Sequence, residues 1–218
     1  ACASALRTYH YGSASVIESP AEWFVFDGAG TIIAFNYEAG RESVVIPWQI
    51  GGVAVTAIEA EAFSAGGAGA PIASAVVPKS VTSVGSYAFA NCNNLSSVSM
   101  PDVTAVGDAA FNNCASLSTV SLPKVTSLGG QVFNICRSLV SVSLPKAVSV
   151  GVSAFDGCPS LTSVSLPEAD TIGAYAFSGC SISSISLPSA KSIGDYVFFN
   201  CRSLVSVSLP KAVSVGVS

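Results

Sequence analysis

Apolar and polar residues alternate along this chain in short bursts, and the bursts recur at one period. The stretch Thr119–Leu122 alternates polar and apolar, and the same alternation returns about every 22 residues, with a proline directly after it. Alternation of period two predicts a short strand with one buried face, and proline ends it because it cannot donate to a sheet ladder. Glycines 85, 107, 129, 151, 173, 194 and 216 step by 22, 22, 22, 22, 21 and 22, and cysteines 92, 114, 136, 158, 180 and 201 keep the same register. In the unit Leu117–Cys136, Val125–Leu128 predicts a second extended piece. Gly129 then suits a positive φ or a close backbone approach, and a single helical turn ends in Phe133. The residue before the cysteine is Asn or Gly in five units, types that tolerate the left-handed conformation closing such a turn. Ile135 departs from that pattern, so a distorted turn is expected there.

Apolar positions of one such coil cannot make a core alone. Stacking the coils turns each position into a ladder: a Leu/Val wall, a Phe stack and a Cys column. The reading is a repeat solenoid, mostly β with short helical turns, rising about 4.8 Å per coil. Residues 1–20 read as a flexible leader and 21–47 as an N-terminal β-hairpin cap around the Gly-rich loop Asp27–Gly30. Residues 48–218 read as the array, opened by a degenerate coil with Glu59 at the glycine position and interrupted by an insert at 65–71. The block Cys136–Ser153 recurs letter for letter as Cys201–Ser218, three repeats later. Ser153 is followed by Ala154-Phe155, so the array is expected to continue past Ser218.

The punctuation Leu-x-x-Val-x-Leu-Pro, then Val-Thr-Ser-Val-Gly, then Ala-Phe-x-x-Cys, seen as Leu95–Cys114, resembles the BspA-like, or Treponema-type, leucine-rich repeat. The resemblance covers roughly residues 40–218, and the hairpin is similar to the opening segment usual in that family. It implies a leucine-rich-repeat curved rod. It also implies a secreted or surface-anchored protein of bacteria or mucosal protists, of which several resemble adhesins for host matrix proteins or other cells. The family shares no catalytic residues.

Composition bears on partners. Half the residues are hydrophobic but only 10% are charged, against about a quarter in ordinary domains, so serine and threonine must cover the surface. The formal net charge of −4 argues against nucleic acid. Residues 1–62 hold seven acids against two bases, and the rest six against seven, so the array is nearly neutral. No run reaches the roughly 18 apolar residues of a membrane helix. The start at Ala1–Cys2 fits a chain processed after a leader, and Cys2 is then a candidate lipid-bearing cysteine.

The column cysteines are expected to be reduced and buried, their Cβ bonds running parallel into the core. No Cys-x-x-Cys pair exists and His10 is the one histidine, so no metal site is expected. No cofactor is expected either. Carboxylate pairs Glu59/Glu61 and Glu168/Asp170 are the candidates for acid–base chemistry, yet both sit at turns where solvated charge is the default. Asn94-Leu95-Ser96 is a glycosylation acceptor pattern in a eukaryotic host.

The candidate binding face is the polar side of the strand ladder. Its residues are Ser97 and Ser99, Thr119 and Ser121, Ser141 and Ser143, Ser163 and Ser165, Ser184 and Ser186, and Ser206 and Ser208. Small hydroxyls bind weakly each, so such a track depends on multiplicity. Arg137, Arg202, Tyr87, Tyr175, Tyr196 and Trp48 are better anchors, expected at edges or on the convex side. The expected function is non-catalytic binding of a protein or glycan on a host or bacterial surface. The alternatives are a structural spacer projecting another domain, and a carbohydrate-active enzyme.

Overall fold

A computed structural model of the chain describes residues 8–11, 14–37, 41–64 and 71–217. It is a β-solenoid of about eight coils of roughly 22 residues, with almost no helix. Cys2 lies outside the described residues, as does the insert apart from Pro71. Within residues 1–20, Thr8–Tyr11 and Ala14–Ile17 pair antiparallel.

Each coil contributes two strands. Val-Ser-Leu segments form one side as Thr119–Ser121, Ser141–Ser143 and Ser163–Ser165, paired in parallel with register 119↔141↔163. The two-residue strands before each glycine form the other side, a continuous ten-stranded sheet running from Phe24–Phe26 to Ser214–Val215. Its first pair, Phe24–Phe26 with Thr31–Phe35, is antiparallel, and Thr31–Ile32 then pairs in parallel with Ala57–Ile58. The hairpin thus presents the first coil with a strand edge and with Phe35. The Asp27 carboxylate closes the hairpin loop by accepting the backbone N–H groups of Ala29, Gly30 and Thr31 at 2.7, 3.0 and 2.9 Å. Those bonds hold its carboxyl below the usual range.

Between glycine and cysteine the chain makes tight i→i−3 turns, such as Ala90 N–H to Tyr87 O at 3.0 Å and Cys92 N–H to Phe89 O at 3.3 Å. Alternate N–H groups point along the array instead: Tyr87, Phe89 and Asn91 donate to Asp108, Ala110 and Asn112 of the next coil at 2.8, 2.7 and 2.8 Å. This third ladder requires two left-handed residues per turn. They fall two and six residues after the glycine, as at Tyr87 (φ 57°) and Asn91 (φ 61°). The glycine itself is needed for close approach, not for φ. A Cβ on Gly85 would stand 2.5 Å from Ala60 N and 2.7 Å from the Glu59 carbonyl carbon.

The turn at Ile135 is not distorted, contrary to expectation. Ile135 takes φ 60° and donates to Asp156 O at 2.8 Å like its neighbours. Array hydrogen bonding imposes the conformation, and the β-branched side chain bears the strain.

The core is a set of ladders. Phe63, Phe89, Phe111, Phe133, Phe155 and Phe177 are fully buried. Their rings stack at 4.7 to 5.5 Å with planes within 11° of parallel. Such offset stacks add to area burial.

Candidate functional site

The structure places all twelve predicted hydroxyl residues on the Val-Ser-Leu strands. Eleven are exposed and Ser141 is half-buried, while Val120 and Val142 between them face the core. Register makes two columns, Thr119–Ser141–Ser163 and Ser121–Ser143–Ser165, and aligns Ser184 with Ser206 and Ser186 with Ser208. The ladder is not continuous: it divides into sheets between Ser99 and Thr119 and between Ser165 and Ser184. The columns reach further back than the sequence reading took them. Ser43 and Ser74 align with Ser97, and the Ser74 and Ser43 hydroxyls lie 3.2 Å apart. Their place just ahead of Pro47 and Pro78 was the available signal.

A second hydroxyl row was missed. On the ten-stranded sheet, Ser83, Ala105, Ser127, Ser149, Thr171, Ser192 and Ser214 stand in register. The Oγ atoms of Ser127 and Ser149 are 2.8 Å apart, and those of Ser192 and Ser214 3.3 Å. Within these two pairs the hydroxyls satisfy each other along the array, which leaves them fewer free valences for a ligand.

The cysteine column is reduced: Cys92, Cys114, Cys136, Cys158 and Cys180 are buried and Cys201 half-buried, all as free thiols. Each thiol also has a polar task that the sequence reading did not assign. Cys114 Sγ donates to Phe89 O at 3.2 Å, Cys136 to Phe111 O at 3.2 Å and Cys158 to Phe133 O at 3.0 Å. The Phe carbonyl of one coil is thus capped by the cysteine of the next. Burial disfavours the thiolate, pushing Cys92 and Cys136 up to about 12 from the ordinary 9.0 and raising Cys114, Cys158 and Cys180 as well. Nucleophilic or metal-binding thiolates need the opposite environment.

Glu168 and Asp170 are not brought together as a reactive pair. Glu168 meets Lys146 at 2.6 Å and Asp170 meets Lys191 at 3.1 Å, so each is neutralised by a different lysine. Glu59 and Glu61 are exposed in the first turn, Glu61 at φ 60°. Among the described residues, no three His, Cys, Asp or Glu side chains gather as a metal site. His10 lies in the strand Thr8–Tyr11, in register with Ser15.

The aromatic anchors sit elsewhere. Tyr87, Tyr175 and Tyr196 occupy the left-handed position of the turn, and the rings of Tyr175 and Tyr196 stack at 5.0 Å. Arg137 and Arg202 are exposed directly after Cys136 and Cys201, where each coil turns into its serine strand. Asn94 is exposed. Among the described residues, no helix is long and apolar enough to cross a membrane.

Six copies of the BspA-type leucine-rich repeat match the chain over residues 56–170 and 170–216. The solved leucine-rich repeat protein of T. pallidum is similar at 28% identity, over 86% of this chain and 91% of that one, with a TM-score of 0.74. A leucine-rich cell surface protein from Faecalibacterium prausnitzii is similar at 27% identity over 94% of this chain, with a TM-score of 0.75. This chain spans 55% of that protein's length. None of the curated proteins compared with the chain matches it.

Proposed function

The chain belongs to the BspA-type leucine-rich repeat family, and on that premise we propose that it is a non-catalytic binding protein of the bacterial cell surface or secreted fraction. Its repeat surface adheres to host matrix proteins or other cells. Proteins of this repeat class suggest protein binding, and the likeness to a leucine-rich cell surface protein carries the reading. An exposed, weakly charged strand ladder adds to it, because low charge leaves contact area and hydrogen bonding as the means of recognition.

Multiplicity is the physical route. A hydroxyl on one coil contributes little, but stacked coils repeat the contact at a fixed pitch, and linked weak contacts gain avidity. A solid-phase screen of the chain against immobilised matrix proteins, mucin and whole bacterial cells tests the reading. Saturable binding to one of these surfaces is expected. Failure to bind any of them would remove its support.

A further inference from the structure

The near-neutral charge of residues 71–217 hides a segregation. From each cysteine through the serine strand to the residue after proline, the coils carry five bases, Lys124, Arg137, Lys146, Arg202 and Lys211, against two acids, Asp102 and Glu168. Both acids are neutralised locally, by Lys124 at 2.8 Å and Lys146 at 2.6 Å. The turns from glycine to cysteine hold Asp108, Asp156 and Asp195 and no base. The serine-strand segments are therefore net cationic and the turns acidic, although the sum is near zero.

The cationic charge is also periodic. The duplicated block sets Arg137 and Arg202 in the same frame, each four residues ahead of a serine pair, Ser141/Ser143 and Ser206/Ser208. Both arginines are exposed. Three coils separate them, about 14 Å at the spacing of paired strands. The two intervening coils enter their strands through Pro159 and Ser181 and offer hydroxyls along those strands, with Glu168, paired to Lys146, the one charged side chain of the two segments.

We propose that the serine-strand side is a docking face for an anionic polysaccharide, a polymer dense in hydroxyls with a carboxylate or sulfate at intervals. The inference rests on the surface-binding reading above. Arg137 and Arg202 take two acidic groups by charge-assisted hydrogen bonds, and the serine columns take sugar hydroxyls between them. A repeating polymer can meet two identical frames at once, which an acidic peptide of irregular sequence does not do. Nucleic acid fits less well. It carries a charge about every 1.7 Å of duplex axis, far denser than one arginine per three coils. Single strands also call for aromatic platforms, whereas the exposed tyrosines Tyr87 and Tyr175 lie on the acidic turns.

The test is titration of the full chain against fluorescein-labelled chondroitin sulfate, with dextran, polyglutamate and a single-stranded DNA oligomer in parallel. Binding to chondroitin sulfate is expected, weakening as salt rises, with no binding to dextran. The double variant Arg137→Ser/Arg202→Ser should lose about tenfold or more in affinity with an unchanged melting temperature, since both side chains are exposed. Asp156→Asn, on the acidic turns, should not weaken binding. The proposal is overturned if chondroitin sulfate does not bind, or if dextran, polyglutamate or DNA binds as tightly. It is equally overturned if the double variant binds like the parent. Capture by matrix proteins without any affinity for chondroitin sulfate would sink this inference and leave the surface-binding reading standing.

Discussion

Ile135 is the residue whose local preference and position disagree most sharply. A β-branched side chain at φ 60° is a genuine outlier, and the left-handed region costs L-residues about 1–2 kcal/mol. The same position holds Asn91, Asn113 and Asn200, or Gly157 and Gly179. Asn113 Nδ2 also donates to Asn91 Oδ1 at 3.1 Å, a side-chain ladder that Ile135 interrupts. Ile135→Asn should therefore raise stability by about 1 kcal/mol, read as a higher denaturant midpoint with unchanged slope. A lower midpoint would mean that contact of Ile135 with the Gly157 coil outweighs the strain. The Asn/Gly preference here was legible because chemistry and conformation coincide. The other left-handed position was not. Tyr87, Ala109, Gln131 and Ser153 share no chemistry, and the hydrogen bonds they make to the next coil set their φ. The thiol caps were equally hidden, since a buried cysteine reads the same whether or not its S–H has an acceptor.

At the scale of the element, the glycine ladder separates two reasons for conserving space. Gly173 has no positive φ, but a Cβ there would stand 2.6 Å from the Gly151 carbonyl carbon and 2.6 Å from Val152 N. Those atoms are backbone, directly after the paired strand Ser149–Val150, and cannot swing aside as a side chain would. Gly173→Ala should cost about 1–3 kcal/mol, as overpacking does, measured by thermal or chemical unfolding. A neutral result would show that adjacent coils slide apart freely. Period and strand polarity were readable from spacing alone, because proline, glycine and cysteine each mark a backbone event. Continuity was only half readable. The break between Ser165 and Ser184 coincides with the single 21-residue step, where Cys180-Ser-Ile182 is one residue shorter than Cys158-Pro-Ser-Leu161. The break between Ser99 and Thr119 falls at regular spacing, and nothing in the local residues announces it. The twelve hydroxyl residues thus fall on strands as the alternation implied, but the second hydroxyl row and the sorting of charge between segments emerge only once coils are stacked.

For the whole molecule, the decisive property is that strand pairing among the described residues runs from each coil to its neighbours. Stability is then a sum of coil terms and interface terms rather than the property of one central core. The Phe stack shows how the interface terms are built. Phe133 is fully buried, with its ring 5.5 Å from both Phe111 and Phe155. The Cys158 thiol caps its carbonyl, and its N–H donates to Ala154 O at 2.8 Å. Truncation to alanine leaves these backbone bonds but opens a cavity between two interfaces, which should cost roughly 3–5 kcal/mol. The loss falls near the middle of the array, so coils on either side keep their own interfaces intact. The N-terminal part retains the hairpin and the stack from Phe35 through Phe63, Phe89 and Phe111. The C-terminal part retains Phe155, Phe177 and Phe198. Phe133→Ala should therefore divide one unfolding transition into two, with hydrogen exchange accelerating first on one side of the substituted coil. A single transition shifted as a whole would show that coupling along the rod exceeds the cost of the cavity, and one left unshifted would contradict the stacked core itself.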